Sequence, residues 1–351
     1  MILVAAAAGA VWGIGAWMGT PRNARWLMLG LLYVAVLAVQ VALPPGAALK
    51  EATGGSAAFW LLAGVFGVAA FAYRGLLRRL RARARPLEVE PDPAAPRGGL
   101  GAAEVERYAR HIVLREVGGP GQRALSEARV LVVGAGGLGA PALLYLAGAG
   151  VGTIGVIDPD RVDVGNLQRQ VIHRDADIGS PKVASAQRAV AALNPHVTVR
   201  PYARPFTSAI GAELVADYDL VLDGTDDWEA RRAVNAACAA AGVPLVWGAI
   251  AQWDGQLTVF DPARGAPCHA CLFPRAPAPG TAPTCAEGGV AGPLPGIVGA
   301  AMAMEAVKLV TGAGEPLRGR LLLWDALGAD ARVIDVARDP ACAVCGTGAA
   351  G

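Results

Sequence analysis

The stretch RVLVVGAGGLGAPALLYLAGAGVGTIGVIDPD, residues 129–160, leaves less conformational freedom than any other part of the 351-residue chain. Residues 130–133 are an apolar run of buried-strand length, Gly134, Gly136 and Gly139 make a tight turn, and the Ala/Leu-rich run after Pro141 reads as a helix. A further apolar run ends at Asp158, nineteen residues past Gly139. Strand, glycine turn, helix, strand and acid in this order describe a nucleotide-binding unit. The glycines let backbone approach phosphate, the helix N-terminus faces the anion, and the acid takes the ribose hydroxyls. Taken alone, the fingerprint fits a nicotinamide-dependent dehydrogenase, so the rest of the chain has to decide its chemistry.

From residue 101 to 348, short apolar strands such as 220–222 and 245–250 alternate with helices such as 180–193 and 228–241. This alternation predicts an α/β domain with a Rossmann-like, mostly parallel sheet and helices on both faces. The Pro-rich stretch at 86–100 has no periodic apolar face and reads as a linker.

Residues 1–85 are a different material. Three apolar runs, 1–18, 26–43 and 57–73, each approach the length that crosses about 30 Å of hydrocarbon and read as three transmembrane helices. Nine of the 31 basic residues but one of the 29 acids, Glu51, lie in this region, which leaves the remainder net acidic and argues against nonspecific nucleic-acid binding. Arg22 and Arg25 fill the first loop, Lys50 and Glu51 cancel in the second, and Arg74, Arg78, Arg79, Arg81, Arg83 and Arg85 follow the third run. The positive-inside rule then places the N-terminus outside and the globular part in the cytoplasm, anchored to the inner (cell) membrane. No ionisable residue lies centrally in the runs, so the expected role is an anchor rather than a pathway.

Within the globular part, Asn166, Arg169, Gln170 and Lys182 concentrate in VDVGNLQRQVIHRDADIGSPKVASAQ. Cations beside a glycine-rich turn can neutralise a triphosphate, whereas hydride transfer needs a flat nicotinamide pocket. The strand at 220–222 runs directly into Asp223, Thr225, Asp226 and Asp227. Carboxylates beyond the C-terminal end of a parallel strand suit Mg²⁺, and one of them is also expected to cap the following helix. Of six cysteines, Cys268, Cys271, Cys342 and Cys345 form two Cys-x-x-Cys pairs that can supply four thiolates to Zn²⁺, with His269 a bystander inside the first pair. A cytoplasmic location disfavours disulfides. Cys238 reads as core, and Cys285 stands in a Gly-rich stretch expected to be a loop.

The motifs RYARHIVL, GAGGLGAPALLYLAGAGVG, NLQRQVIH, SPKVASA, LDGTDD, CHACLFP, TCAEGGVAGPLPGIVG, AMEAVKLVTG and ACAVCG occur in this order over residues 101–348. Together they resemble the MoeB/ThiF/HesA family of sulfur-carrier adenylyltransferases, relatives of the ubiquitin-activating enzymes. The resemblance implies a homodimer that uses ATP and Mg²⁺ to adenylate the C-terminal Gly-Gly carboxylate of a ubiquitin-like sulfur carrier, and a structural zinc. It also implies residue roles: Gly136 and Gly139 approach phosphate, Asp158 holds ribose, Asn166, Arg169, Gln170 and Lys182 surround the phosphates, Asp226 holds magnesium, and Arg110 reaches the partner's ATP. Asp227 departs from the Asn usual in the family and is expected to face solvent. Cys285 matches a cysteine that joins sulfur transfer in thiamin-type relatives. TCAEGG and DPACAVCG resemble the molybdopterin-synthase type more closely than the thiazole type, with the thiamin-pathway carrier the alternative. Outside the family, a dehydrogenase or a non-catalytic binding module for ubiquitin-like proteins are the competing readings. No rhodanese-like segment follows ACAVCG, so a separate sulfur donor is expected.

Overall fold

The structure, a computed structural model, describes residues 2–83, 99–277 and 288–346. Its internal contacts divide the chain into two units, residues 1–88 and 89–351. Most of the expected linker, and Cys285, lie outside the described residues.

The first unit is helical: α1 (Ile2–Trp17), α2 (Arg22–Ala42), the short α3 (Ala48–Ala52) and α4 (Ala57–Arg83). By length and composition, Ala24–Ala42 and Ala57–Leu76 suffice to cross a membrane. α1 has 16 residues, about 24 Å at 1.5 Å per residue, which is short of a full hydrocarbon crossing. Leu31, Val34, Leu62 and Phe66 are exposed, while two polar side chains, Gln40 and Thr53, are buried. Gln40 is buried, and its Nε2 donates to Lys50 O and Thr53 Oγ1, both at 2.8 Å. Tyr33 Oη donates to Trp60 O and Trp60 Nε1 to Thr53 O, so α2 is fastened to α3 and α4 by hydrogen bonds.

The second unit begins with three short helices, α5 (Ala102–Arg107), α6 (Ala109–Ile112) and α7 (Gly118–Glu127). The nucleotide-type unit follows as β1 (Arg129–Val133), α8 (Gly139–Ala149) and β2 (Thr153–Ile157). Next come α9 (Lys182–Leu193), β3 (Thr198–Tyr202), α10 (Ser208–Ala216), β4 (Leu220–Asp223), α11 (Trp228–Ala241), β5 (Leu245–Ala251) and β6 (Asp254–Phe260). The short α12 (His269–Leu272), the long α13 (Pro293–Thr311), β7 (Arg320–Asp325) and β8 (Asp330–Asp335) complete it.

The eight strands lie in the order β3-β2-β1-β4-β5-β6-β7-β8. The first five run parallel, but β6, β7 and β8 are each antiparallel to the preceding strand. Four of the seven pairings are parallel, as the alternating pattern predicts, and the antiparallel β6, β7 and β8 make the sheet mixed at one edge. The cause is local: two residues, Gln252 and Trp253, separate β5 from β6, and so short a connection admits only an antiparallel hairpin.

Alternating residues of the central strands face two helical layers. Val130, Val132, Ile154, Val156, Leu220 and Leu222 pack with α8, α9 and α13. Leu131, Val133, Ile157, Val221 and Trp247 pack with α10 and α11 on the other face. α13 is also long and apolar enough to cross a membrane. Its Leu294, Val298, Met302 and Ala306 are instead buried in the first of these cores. Strand order reverses between β1 and β4, and a crevice at such a switch point is where an open α/β sheet binds its ligand.

Candidate nucleotide site and tetracysteine centre

A cavity of about 450 Å³ opens at that switch point, beyond the C-terminal ends of β1, β2 and β4. The turn after β1 forms its floor. Gly134 has φ +92°, a conformation that side-chain-bearing residues rarely adopt, and a Cβ there would also meet Gly224 O at 3.2 Å. Gly136 and Gly137 line the cavity. Gly139 does not: a Cβ there would lie 1.8 Å from Gly134 O, so this glycine lets α8 pack against the turn rather than exposing backbone to a ligand.

Asp158, Asn166, Arg169, Gln170, Lys182 and Asp226 all line the same cavity. Asp158 directly follows β2 and is almost fully buried; its Oδ2 accepts from Ala135 N at 2.7 Å and its Oδ1 from Asp160 N at 2.8 Å. Each oxygen retains a lone pair for a further donor. Lys182, at the start of α9, is held by Asp160 through an Nζ–Oδ2 contact of 2.8 Å. Arg169 donates to Asn166 Oδ1 at 2.6 Å and to Gly165 O at 3.2 Å. Gln170 is 4% exposed and its Oε1 has no partner among the described residues.

The acids after β4 separate by environment. Asp223 is fully buried and accepts from Thr225 N and Oγ1, and its Oδ2 has no partner among the described residues. Burial pushes its carboxyl above the ordinary value, with Arg231 and Thr225 opposing. Asp226 is exposed at the cavity. Asp227 is exposed, as expected, and also caps α11, its Oδ2 accepting from Ala230 N at 2.7 Å.

Sequence reading passed over three residues. Asp160 fixes Lys182. Arg231 lines the cavity, donates to Thr225 O through both Nε and an NH2 group, and lies 5.2 Å from the centroid of the Trp247 ring. His173 Nε2 donates to Ala135 O at 2.9 Å and its Nδ1 meets Ser185 Oγ at 2.9 Å, which props the glycine turn from beneath. The only sequence signals were an acid two residues past Asp158, a basic residue in the first turn of α11, and a histidine closing NLQRQVIH. Arg110, on α6, is exposed and does not line the cavity of its own chain.

Apart from the cavity, the two Cys-x-x-Cys pairs converge. The sulfurs of Cys268, Cys271, Cys342 and Cys345 lie within 4.8 Å of one another, with Cys268–Cys271 at 3.8 Å, Cys268–Cys342 at 3.6 Å and Cys271–Cys345 at 3.5 Å. Four sulfurs about 2.3 Å from a tetrahedral ion would stand about 3.8 Å apart, so this donor set fits a metal. Burial pushes the Cys268 thiol up, and a metal would therefore displace protons on binding. His269 turns away into an aromatic box of Trp228, Trp247, Phe260 and Phe273, where burial lowers it to about 4. Cys238 is buried in the core of α11.

The switch-point cavity, lined by glycine backbone and by Arg169, Lys182 and Arg231, sits where an α/β protein of the doubly wound class binds its ligand. The ThiF family model matches residues 108–344, and the chain belongs to the ThiF family. The chain is 50% identical over 247 residues to the sulfur carrier protein adenylyltransferase of Thermus thermophilus, covering 69% of this chain and 91% of that protein. It is 45% identical over 250 residues to the molybdopterin-synthase adenylyltransferase of Escherichia coli K12, covering 70% and 98%. Among solved structures, Escherichia coli MccB with ATP superposes with a TM-score of 0.61 at 22% identity, covering 70% of this chain and 75% of that one, which is a likeness of fold.

Proposed function

We propose that this protein adenylates the C-terminal carboxylate of a ubiquitin-like sulfur carrier with ATP, as the names of its relatives describe for them. The observation that carries this reading is the convergence of Arg169, Lys182 and Arg231, from separate segments, on one cavity floored by the glycine turn and bounded by Asp158. Three cations suit a polyphosphate. The free lone pairs of Asp158 support a role in accepting from ribose hydroxyls, and Gln170 Oε1, which has no partner among the described residues, is a second acceptor in the same cavity.

In this reaction a carboxylate oxygen attacks the α-phosphorus, the bond to the bridging oxygen breaks, and pyrophosphate leaves with its electron pair. The attacking group is already an anion, so no general base is required. The work of the chain is to hold the triphosphate in line and spread its charge over fixed donors. Of the exposed carboxylates lining the cavity, Asp160 pairs with Lys182 and Asp227 caps α11, so Asp226 is the one that would hold Mg²⁺, which would offset phosphate charge. The tetracysteine set would hold a structural Zn²⁺.

The molybdopterin-synthase small subunit is the carrier we favour, supported by the Escherichia coli relative and by the DPACAVCG ending. We place the enzyme as a homodimer in which Arg110 completes the partner's site. We also propose that the first unit anchors it to the cell membrane with the catalytic unit in the cytoplasm, an arrangement supported by two long apolar helices and by the arginine distribution.

Carrier-dependent ATP–pyrophosphate exchange tests the reaction. Labelled pyrophosphate should enter ATP only when a Gly-Gly carrier is present, and Asp226→Ala and Arg169→Ala should each reduce exchange, the latter by about 2–4 kcal/mol of transition-state stabilisation. Exchange that proceeds equally without carrier would reject the assignment. Mass analysis of candidate carriers then identifies which one gains AMP.

A further inference from the structure

Asn235 is buried in α11, one turn beyond Arg231. Its Oδ1 accepts the backbone N–H of His269 at 2.8 Å. A backbone N–H can only donate, so this bond fixes the orientation of the amide, and Nδ2 must face the other way. There it meets Cys268 Sγ at 3.8 Å. A second path runs beside this one: the Arg231 guanidinium lies over the Trp247 ring, and that ring is 5.5 Å, centroid to centroid, from His269, the residue after Cys268. At its N-terminal end the same helix supplies Ala230 and Arg231, with the Asp227 cap, to the cavity wall.

We infer that Asn235 couples the tetracysteine centre to the nucleotide cavity: its amide donates to the Cys268 sulfur, accepts from the next backbone N–H, and so fixes the helix whose first turn forms the cavity wall. The inference rests on the reading of that centre as a zinc site and of the cavity as an ATP site. Four thiolates around Zn²⁺ leave excess negative charge on sulfur. An N–H donor from Asn235 disperses that charge, and its loss weakens metal retention. A loosened Cys268 releases His269 N–H and, with it, the anchored side of α11.

Zinc-loaded full-length protein carrying Asn235→Asp provides the test. This substitution keeps the size and the acceptor toward His269 N–H but turns the donor facing sulfur into a carboxylate oxygen. Zinc transfer to excess chelator should quicken about 10–100-fold. In the cobalt-substituted protein the thiolate-to-metal band should move to lower energy, and the ATP dissociation constant should rise. Asn235→Leu, which removes both bonds without burying a charge, should shift all three readouts in the same direction, and it serves if the Asp variant does not fold. Wild-type zinc release and an unmoved cobalt band in a folded variant would overturn the contact. Faster zinc release with unaltered ATP affinity would overturn the coupling. Failure of the wild-type chain to bind ATP would count against the cavity assignment, while zinc and cobalt would still judge the Asn235 contact.

Discussion

Two glycines of one turn should fail in different ways when given a methyl group. At Gly139 a Cβ would lie 1.8 Å from Gly134 O, backbone against backbone, so the turn itself must move. Gly139→Ala should cost about 1–3 kcal/mol of stability, seen as a lower denaturant midpoint. At Gly136 the nearest atom is the Gln170 amide nitrogen at 3.5 Å, an ordinary contact, and the new methyl would stand in the cavity. Gly136→Ala should fold with wild-type stability and bind ATP more weakly by calorimetry. Equal stability losses in the two variants would contradict this division. His173 gives a second test at this scale. Burial holds it below the ordinary histidine value, with Lys182 adding to the effect and Ala135 O, Asp158 and Asp177 opposing it. The unfolded chain takes up a proton near pH 6.5 that the fold resists, so the contribution is complete above that pH and is lost as pH falls toward the lower folded value. Between about pH 7 and 5 the denaturant midpoint should fall more steeply in the wild type than in His173→Gln. A lone histidine in a polar motif carries no sign of burial, and this is why the sequence did not reveal it.

Among the elements, α11 was the most legible, because Asp227 and Gly242 punctuate its two ends: one side chain caps the first turn, and the other glycine takes the left-handed conformation that closes the last. Asp227→Ala should cost about 1 kcal/mol, whereas Asp227→Asn, an equally good cap, should leave the thermal midpoint unchanged. A midpoint unmoved by the Ala variant would remove the cap from the account. The central strands β1, β2, β4 and β5 were legible because burial on both faces requires unbroken apolar runs. β8 lies at the sheet edge with all six residues exposed, and no burial pattern marked it in the sequence. Composition also cannot separate α13 from α2 and α4, since all three satisfy the length and hydropathy of a span. Only the sheet covering α13 distinguishes it. The cysteine pairs escaped this ambiguity because their spacing carries ligand geometry directly.

On the scale of the whole molecule, two proposals concern surfaces a single chain leaves open. For the anchor, the loop holding Lys50 and Glu51 is expected outside. Thr53 is buried against Gln40, so Ser56, which is exposed, is the better labelling position. Ser56→Cys should react with an impermeant thiol reagent in intact spheroplasts, and protection until lysis would reverse the orientation.

For the shared site, the argument starts from Arg110, a cation of the RYAR motif that is exposed on α6 and absent from its own chain's cavity, whereas Asp226 lines it. If Arg110 serves the partner, Arg110→Ala and Asp226→Ala homodimers should both lose exchange activity, each for want of a different group. In a mixed dimer, the cavity of the Arg110→Ala subunit keeps its own Asp226 and receives Arg110 from the other subunit. The opposite cavity lacks both. Random exchange of equal amounts of the two variants should therefore return roughly a quarter of all sites, as two-fold symmetry requires. If Arg110 acts within its own chain, every site in the mixture lacks one group and no activity returns. Carrier-dependent exchange measured before and after mixing, with subunit exchange followed by mass-tagged chains, separates the two arrangements, and an inactive mixture of confirmed heterodimers would reject the shared site.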